Sequence, residues 1–285
     1  MEGDGPVKPS RAVVALLVIV LALGLIGCEP KAEEPALVPV VEPPVITDAG
    51  VLRVGVDLSY PPFAGTDDGV NAGIDIDVAA AIAERLGLRL EVVDVKPADM
   101  ASSLDDGAVD VMLGAIPVTD AVLADVTTAG SYIIDGTGFF TVAGVDGSEV
   151  ATITLEQVAA RNPGAQTGSA AFWALEAELG EGSVTGFDTL KGAFDALEAG
   201  TVDIVAADAV IGAYIARDYP GIAFAGQFGD AQPLGIAVRK DAAELEAAVR
   251  GTLDAMAADG VLQTIRRKWV GDLPQLAVAQ TPAGD

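Results

Sequence analysis

Apolar and polar positions alternate between two periods from residue 51 onward. Residues 51–56 form a short β-branched apolar run, typical of a buried strand, and residues 57–73 are rich in Pro, Gly and Asp, which predicts a loop. Residues 74–86 carry apolar side chains at helical spacing, with Gly87 as a C-terminal cap, and residues 88–95 alternate like a strand. The alternation continues to the end of the chain and predicts an α/β fold with mainly parallel strands.

A segment of this pattern occurs twice. Residues 104–112 (LDDGAVDVM) are echoed by residues 197–205 (LEAGTVDIV), and each copy predicts a helix end, a capping glycine and a buried strand beginning Val-Asp. Helix–glycine–strand units are common, so coincidence is one explanation of the echo. The other explanation is two similar lobes. Ligands in open α/β sheets bind beyond the carboxyl ends of the strands, which would be residues 114–115 and 207–208.

The N-terminal segment is typical of a targeting signal. Lys8 and Arg11 precede an apolar run over residues 12–26, which is short for a membrane span but suits a signal-peptide core. The run ends in Leu-Ile-Gly before Cys28, which resembles the lipobox of bacterial lipoproteins. This resemblance implies a signal peptide over residues 1–27 and a lipid on Cys28. The alternative is an N-terminal membrane helix with a chance cysteine.

Residues 28–48 predict a tether between the anchor and the folded body. They contain five prolines among acidic and small residues, a composition typical of a semi-rigid extended linker. A lipid anchor with such a linker would hold the body outside the cytoplasm and close to a membrane, in the periplasm or at the cell surface.

Composition excludes several classes of function. The 285-residue chain has 42 acidic and 16 basic residues, for a net charge of −26, which disfavours nucleic acid and anionic lipid headgroups as partners. It has no histidine, and Cys28 is its one cysteine. Most catalytic triads, histidine-based metal sites and intrachain disulfides are thereby excluded. We therefore predict a protein without a cofactor or a metal, and not an enzyme.

An ordered series of short segments carries a family resemblance. The segments are residues 50–57 (GVLRVGVD), 59–63 (SYPPF), 73–78 (GIDIDV), 80–87 (AAIAERLG), 107–110 (GAVD) and 259–271, which begin DG and end KWVG. In this order the chain resembles the amino-acid-type (family 3) solute-binding proteins of bacterial ABC importers. The resemblance implies capture of a small polar solute between two lobes and delivery to a membrane permease.

The resemblance also implies a domain organisation. Two α/β lobes would be joined by two crossover strands, near residues 138–142 and 234–238, in the type II periplasmic-binding-protein fold. Lobe one would comprise residues 48–140 and 235–272, lobe two residues 142–232, and residues 273–285 would form a flexible tail. The lobes would close on the ligand by a hinge motion.

Part of the implied ligand site matches the family. Asp208 matches the acid that takes an α-ammonium group, and Tyr60 and Phe63 match aromatic walls. Thr167, Gly168 and Ser169 match a turn whose N–H groups could bind an anion or a carbonyl. Asp57 matches a position that faces the ligand's side chain in some cation-binding relatives; its alternative role is a turn aspartate. Phe172 and Trp173 follow on a helix, where core packing is the commoner role.

The carboxylate side of the implied site departs from the family. After Thr119, Val122 replaces the arginine whose planar fork binds a carboxylate. Next to the strand end at Ala115, Pro117 replaces a residue with a backbone N–H donor. Ala170 replaces a common threonine, and Pro97 takes the place of a second aromatic wall.

These departures leave two hypotheses about the ligand. One is an amine without an α-carboxylate, bound by Asp57 and Asp208 beside Tyr60; the other is an ordinary polar amino acid held by compensating contacts. A cleft enzyme of the cyclohexadienyl dehydratase type is a rival function, but its dianionic substrates require arginines that the site lacks. A sensor or receptor ectodomain is a second rival.

Overall fold

The computed structural model describes residues 38–119, 124, 126–143 and 152–278. The predicted signal peptide at residues 1–27, Cys28 and Val122 lie outside this part of the chain. Within the described ranges, no helix is both long enough and apolar enough to cross a bilayer. The strands are β1 (Val51–Val56), β2 (Gly65–Asp67), β3 (Val70–Ala72), β4 (Arg89–Asp94), β5 (Val111–Pro117), β6 (Thr127–Val142), β7 (Pro163–Gln166), β8 (Thr185–Phe187), β9 (Ile204–Asp208) and β10 (Ile222–Val238). The helices are α1 (Ile74–Arg85), α2 (Met100–Asp105), α3 (Leu155–Ala159), α4 (Ala170–Leu179), α5 (Leu190–Glu198), α6 (Ala209–Ala216), α7 (Ala243–Ala258) and α8 (Val261–Val270).

Eight strands form one sheet in the order β4-β1-β5-β10-β6-β9-β7-β8. The neighbours are parallel at both ends, among β4, β1 and β5 and among β9, β7 and β8. The three central pairings, β5 with β10, β10 with β6, and β6 with β9, are antiparallel. The predicted α/β fold is confirmed, and its parallel strands are divided between two outer groups. The predicted loop at 57–73 contains a small hairpin, β2–β3.

The long strands β6 and β10 connect the two outer groups. They pair with each other along most of their length, and the register shifts between Phe228 and Gln232. β6 contacts β9 through residues 137–140, whereas β10 contacts β5 through residues 234–238. Both predicted crossover segments therefore lie in these two strands. In β6, the segment 138–142 overlaps the part that already pairs with β9.

The repeated segment folds in the same way in both copies. Gly107 and Gly200 end their helices with φ values of 67° and 70°, a left-handed conformation that glycine adopts without steric cost. Asp110 accepts a hydrogen bond from the Arg53 backbone N–H at 2.9 Å and returns its own N–H to the Arg53 carbonyl at 2.8 Å. Asp203 makes the same two bonds with Asn162, at 3.0 and 2.9 Å. The sequence echo is therefore a structural repeat.

The predicted tether does not extend to residue 48. Val41 and Ile46 are 4% and 1% exposed, and the Val40 N–H donates to the Leu86 carbonyl at 2.9 Å. Both the backbone N–H and the hydroxyl of Thr47 donate to Asp110 Oδ1. Prolines favour an extended chain, but burial of Val41 and Ile46 in the main core stabilises a packed conformation of residues 38–48. Residues 28–37 lie outside the described part.

The predicted flexible tail does not begin at residue 273. Leu273 and Leu276 are buried in the main core, at 5% and 6% exposure. The side-chain amide of Gln227 in β10 donates to the Ala277 carbonyl and accepts from the Ala277 N–H, both at 2.7 Å. Residues 273–278 are therefore packed against the body, and residues 279–285 lie outside the described part.

Candidate functional site

A cavity of about 400 Å³ opens at the carboxyl ends of β1 and β5. These strands are parallel neighbours, so the residues that follow them meet at one edge of the sheet. Four of the predicted site residues lie together here, as does Pro97, which takes the place of an aromatic wall. The lining residues are Asp57, Tyr60, Pro97, Met100 and the six consecutive residues 112–117.

The end of β5 has an unusual backbone. Ala115 has a φ of 53°, a left-handed conformation that costs a non-glycine residue about 1–2 kcal/mol and that clusters at functional sites. Its N–H donates to the Tyr132 hydroxyl at 3.3 Å. The strand continues to Pro117 instead of ending at 114–115 as predicted. The Thr119 N–H donates to the Pro117 carbonyl at 3.0 Å, and Thr119 is exposed.

Asp57 already has a cationic partner. Its Oδ1 accepts hydrogen bonds from Lys96 Nζ at 2.7 Å and from the N–H and hydroxyl of Ser59 at 3.0 and 2.6 Å. The Lys96 ammonium, followed by Ser59, lowers the pKa of Asp57 to about 2. The structure confirms the turn aspartate, and Asp57 also lines the cavity. That Asp57 faces a ligand's side chain stays a prediction. The sequence analysis did not identify Lys96, which is 39 residues away along the chain.

The two predicted aromatic walls occupy different positions. Tyr60 is 38% exposed and stacks on Phe63, with ring centroids 5.5 Å apart and planes at 9°. Phe63 is 1% exposed. The prediction that Phe63 packs on the ligand is therefore wrong. Its buried ring stacks against Tyr60, and Tyr60 lines the cavity.

The predicted anion-binding turn follows β7, and most of its donors are engaged. The Thr167 N–H donates to the Phe187 carbonyl at 2.8 Å, and the Ser169 N–H donates to the Gln166 carbonyl at 3.1 Å. The Ser169 hydroxyl caps α4 by accepting from the Phe172 N–H. Gly168, with a φ of 81° and open space beside its Cα, is the member of the turn left to meet a ligand.

Of the two aromatic residues of α4, one is buried and one is exposed, as for Phe63 and Tyr60. Phe172 is 8% exposed and belongs to a core cluster with Phe139 and Leu175, as predicted for a helical aromatic. Trp173 is 60% exposed and meets Phe172 edge to face, with centroids 5.1 Å apart. Trp173 therefore does not have the predicted core role.

Asp208 stands at the end of β9, as predicted, where it is the N-cap residue of α6. Its side chain makes no capping hydrogen bond. The residue is half-buried, and burial raises the pKa of its carboxyl group. Asp208 therefore does not act as a side-chain cap of α6.

Asp135 is an acidic neighbour that the sequence analysis missed. It lies in β6, is 9% exposed, and its Oδ1 accepts from the N–H groups of Gly136 and Val210 at 2.8 and 3.1 Å. Burial and the charge of Asp208 raise its pKa to about 6. The only signal in the sequence was one acid within the apolar stretch YIIDGTGFF.

Negative charge converges on the hydroxyl of Tyr60. Burial, followed by the charges of Asp208, Asp135 and Asp75, raises the pKa of Tyr60 to about 12. Within the described ranges, no lysine or arginine forms an ion pair with any of these three acids. Tyr60 lines the cavity at β1 and β5, and its hydroxyl is also affected by the charge of Asp208 at the end of β9.

Comparison with known proteins gives a consistent picture. Residues 52–272 match the model of the bacterial extracellular solute-binding proteins, family 3. The L-cystine-binding protein of Escherichia coli K12 is 25% identical over 228 residues, covering 79% of this chain and 85% of the relative. The L-arginine-binding protein of Pseudomonas aeruginosa is 28% identical, covering 76% and 87%. The cyclohexadienyl dehydratase of P. aeruginosa is 31% identical, but covers only 40% of this chain and 41% of the enzyme.

Solved structures agree with these relatives. An ancestral cationic amino acid solute-binding protein has a TM-score of 0.67 at 25% identity, covering 78% of this chain and 96% of its own. An ancestral arginine-binding protein bound to glutamine has a TM-score of 0.54 at 30% identity, covering 79% and 100%. The L-cystine solute receptor of Neisseria gonorrhoeae in its unliganded open conformation has a TM-score of 0.68 at 20% identity, covering 81% and 95%. The chain belongs to the bacterial extracellular solute-binding proteins of family 3.

Proposed function

We propose that this protein captures an amino acid or a related amine outside the cytoplasm and delivers it to the permease of an ABC importer. Membership of the family supports this function, as do relatives that are cystine- and arginine-binding proteins. The single observation that carries it in this chain is Asp208: a half-buried carboxylate at a strand end that neither caps its own helix nor meets a described cation. A buried carboxylate needs a cation to offset its desolvation.

The ligand site then uses the residues as follows. Asp208 receives the ligand's ammonium group, and Tyr60 lies beside it, where cation–π contact adds about 0.5–2 kcal/mol. Ala115 and Pro117 border the part of the ligand that enters the cavity, together with Asp57 in its pair with Lys96. Gly168 offers its N–H from the opposite edge. Binding requires no cofactor, and we propose no chemical conversion of the ligand.

Closure of two lobes completes the site. The proposed lobes are residues 48–140 with 235–272 and residues 142–232, joined by β6 and β10. The described cavity is lined only by residues of the first lobe, as expected for an open cleft. A ligand that contacts both lobes would favour the closed form.

The proposal also includes the place of the protein in the cell. Cleavage before Cys28 and a lipid on its sulfur would hold the protein at the outer face of a membrane, near the permease. The mass of the N-terminal fragment of the protein purified from its host checks this step. A free or uncleaved N-terminus would contradict it.

Calorimetric and thermal-shift titration of the purified full chain tests the binding function. A ligand at about 100 times its Kd stabilises the native state by about 2.7 kcal/mol. We expect such a shift with at least one compound from a panel of α-amino acids and amines, and we expect Asp208→Asn to weaken binding of that compound at least about tenfold. Asp254→Asn makes the same chemical change at an exposed position of α7 and should have no effect.

Two outcomes of this titration would contradict the proposed function or the role of Asp208 in it. Binding that survives Asp208→Asn unchanged would contradict the role of Asp208. No shift with any compound of the panel would contradict the function itself.

A further inference from the structure

The first turn of α6 is held by a residue of another element. Helices present unpaired N–H groups in their first turn, and an N-cap aspartate usually accepts from one of them. Asp208 is the N-cap residue of α6 and makes no such bond. The Val210 N–H donates instead to Oδ1 of Asp135 in β6, in a buried hydrogen bond of 3.1 Å. Asp135 therefore caps α6, and the carboxylate of Asp208 forms no capping bond and no ion pair within the described part of the chain.

The register of the sheet places the two acids side by side. β6 and β9 are antiparallel, and Thr137 lies opposite Asp208. Asp135, two residues before Thr137, is the diagonal neighbour of Asp208 on the same face of the sheet, a relation that corresponds to about 7–8 Å between Cα atoms. At this separation, the carboxylates of Asp135 and Asp208 can both approach one cationic group of a ligand.

Among the described residues, no lysine or arginine forms an ion pair with either acid. Oδ1 of Asp135 accepts two backbone hydrogen bonds, whereas Oδ2 accepts none from the described residues. Two carboxylates in a partly buried site repel each other, and each disfavours the charged form of the other. A cation between them removes this repulsion, but a ligand carboxylate would add to it. The donors that usually receive a ligand carboxylate are also reduced here, because Pro117 has no N–H and Val122 has no charge.

We propose that Asp135 is a specificity-determining residue of the ligand site: it caps α6 so that Asp208 stays free, and together with Asp208 it selects ligands of net positive charge. This inference rests on the proposed binding function and narrows it to a substrate class. That class comprises amines without a carboxylate and amino acids with a cationic side chain, and it disfavours neutral and acidic amino acids.

Two variants of Asp135 separate its two roles. Asp135→Asn keeps an oxygen that can accept from Gly136 and Val210 but removes the charge. Asp135→Ala removes both the charge and the capping oxygen. A purely structural cap would be rescued by asparagine, whereas a charge-selecting residue would not.

Calorimetric titration with three probes tests the inference. The probes are agmatine, L-arginine and L-glutamine: the first two share a guanidinium group and differ in the carboxylate, and glutamine has a neutral side chain. We expect wild type to prefer both cationic probes over glutamine, and Asp135→Asn to reduce that preference at least about tenfold without lowering Tm. Asp135→Ala should lower Tm as well, and Asp254→Asn should change neither quantity.

The possible results distinguish this inference from the proposed function. If wild type binds the probes but Asp135→Asn keeps the full preference for cations, the inference fails and the binding function stands. If wild type prefers glutamine over the cationic probes, the inference also fails and the binding function stands. If no probe and no compound of the wider panel binds, the binding function fails and the inference fails with it.

Discussion

Asp75 is the one fully enclosed acid among the described residues whose carboxyl oxygens accept no hydrogen bond. It lies in the first turn of α1, is 0% exposed, and neither of its carboxyl oxygens is paired. Burial raises its pKa to about 7, and the nearby Tyr132 hydroxyl offsets part of that rise. At neutral pH the folded protein therefore holds a carboxyl group close to its titration point, in a position that penalises the charged form.

We predict that this acid makes the protein less stable as pH rises. An unfolded aspartate titrates near 3.9, so between about pH 4 and pH 7 the folded state binds more protons than the unfolded state. Stability then falls with rising pH, by up to about 4 kcal/mol from this group. Asp75→Asn removes the titration and should raise the free energy of unfolding at about pH 8 relative to about pH 4.5.

Urea unfolding of wild type and Asp75→Asn at several pH values measures this effect. Asp135 and Asp208, whose pKa values are also raised, contribute in the same direction and remain in both proteins. The informative quantity is therefore the difference between the two curves. Curves that stay parallel from about pH 4.5 to pH 8 would contradict the prediction, and Asp254→Asn serves as the exposed control.

At the scale of elements, the aspartates of the two Val-Asp segments form the same pair of hydrogen bonds but differ in burial. Asp110 is 7% exposed, and its carboxylate accepts backbone hydrogen bonds from both Arg53 and Thr47. Asp203 is exposed, and among the described residues its carboxylate accepts only from the Asn162 N–H. A buried donor that loses its acceptor carries a larger penalty than an exposed donor, which water can satisfy.

We predict an unequal response to the same substitution. Asp110→Ala should lower the free energy of unfolding by about 2–4 kcal/mol, since it leaves two backbone N–H groups without their acceptor. Asp203→Ala should cost about 1 kcal/mol or less. Chemical denaturation of the two variants measures both values. Equal losses would show that burial does not distinguish the two copies.

The local pattern of apolar positions predicted the longer helices and strands well, but it did not predict which segments pack against each other. The strands at 51–56 and 89–94 and the helix between them were predicted, because the period of apolar positions is a property of the segment itself. The hairpin β2–β3 was missed because its three-residue strands are too short to show a period. The buried positions within 38–48 and 273–278 were missed because composition says little about where a few apolar side chains find space.

The candidate site shows the same limit. Asp208 was found because it lies in a segment that resembles a family. Asp135 was missed because its capping bond joins residues 75 apart in sequence and depends on the pairing of β6 with β9. Lys96 was missed because its pairing with Asp57 joins two loops. Residues that act through long-range neighbours leave no local pattern to read.

For the whole molecule, charge is the dominant property. With 42 acidic and 16 basic residues, 26 acids have no basic partner even if every base is paired. Such a surface keeps the protein soluble but opposes compactness through self-repulsion. The described ion pairs, such as Lys191 with Asp195 and Arg85 with Asp259, are at least partly exposed, and each contributes about 0–1 kcal/mol.

We therefore predict that salt stabilises this protein. Raising sodium chloride from about 0.01 M to about 1 M shortens the Debye length from about 30 Å to about 3 Å, which screens repulsion between surface acids more than it weakens short ion pairs. Tm should rise by several degrees at about pH 7.5. At about pH 4.5 many of the acids are protonated, so the same salt step should have a smaller effect. A Tm that is flat or falls with salt at pH 7.5 would show that self-repulsion does not limit stability, and an equal rise at both pH values would point to a general salt effect on apolar burial instead.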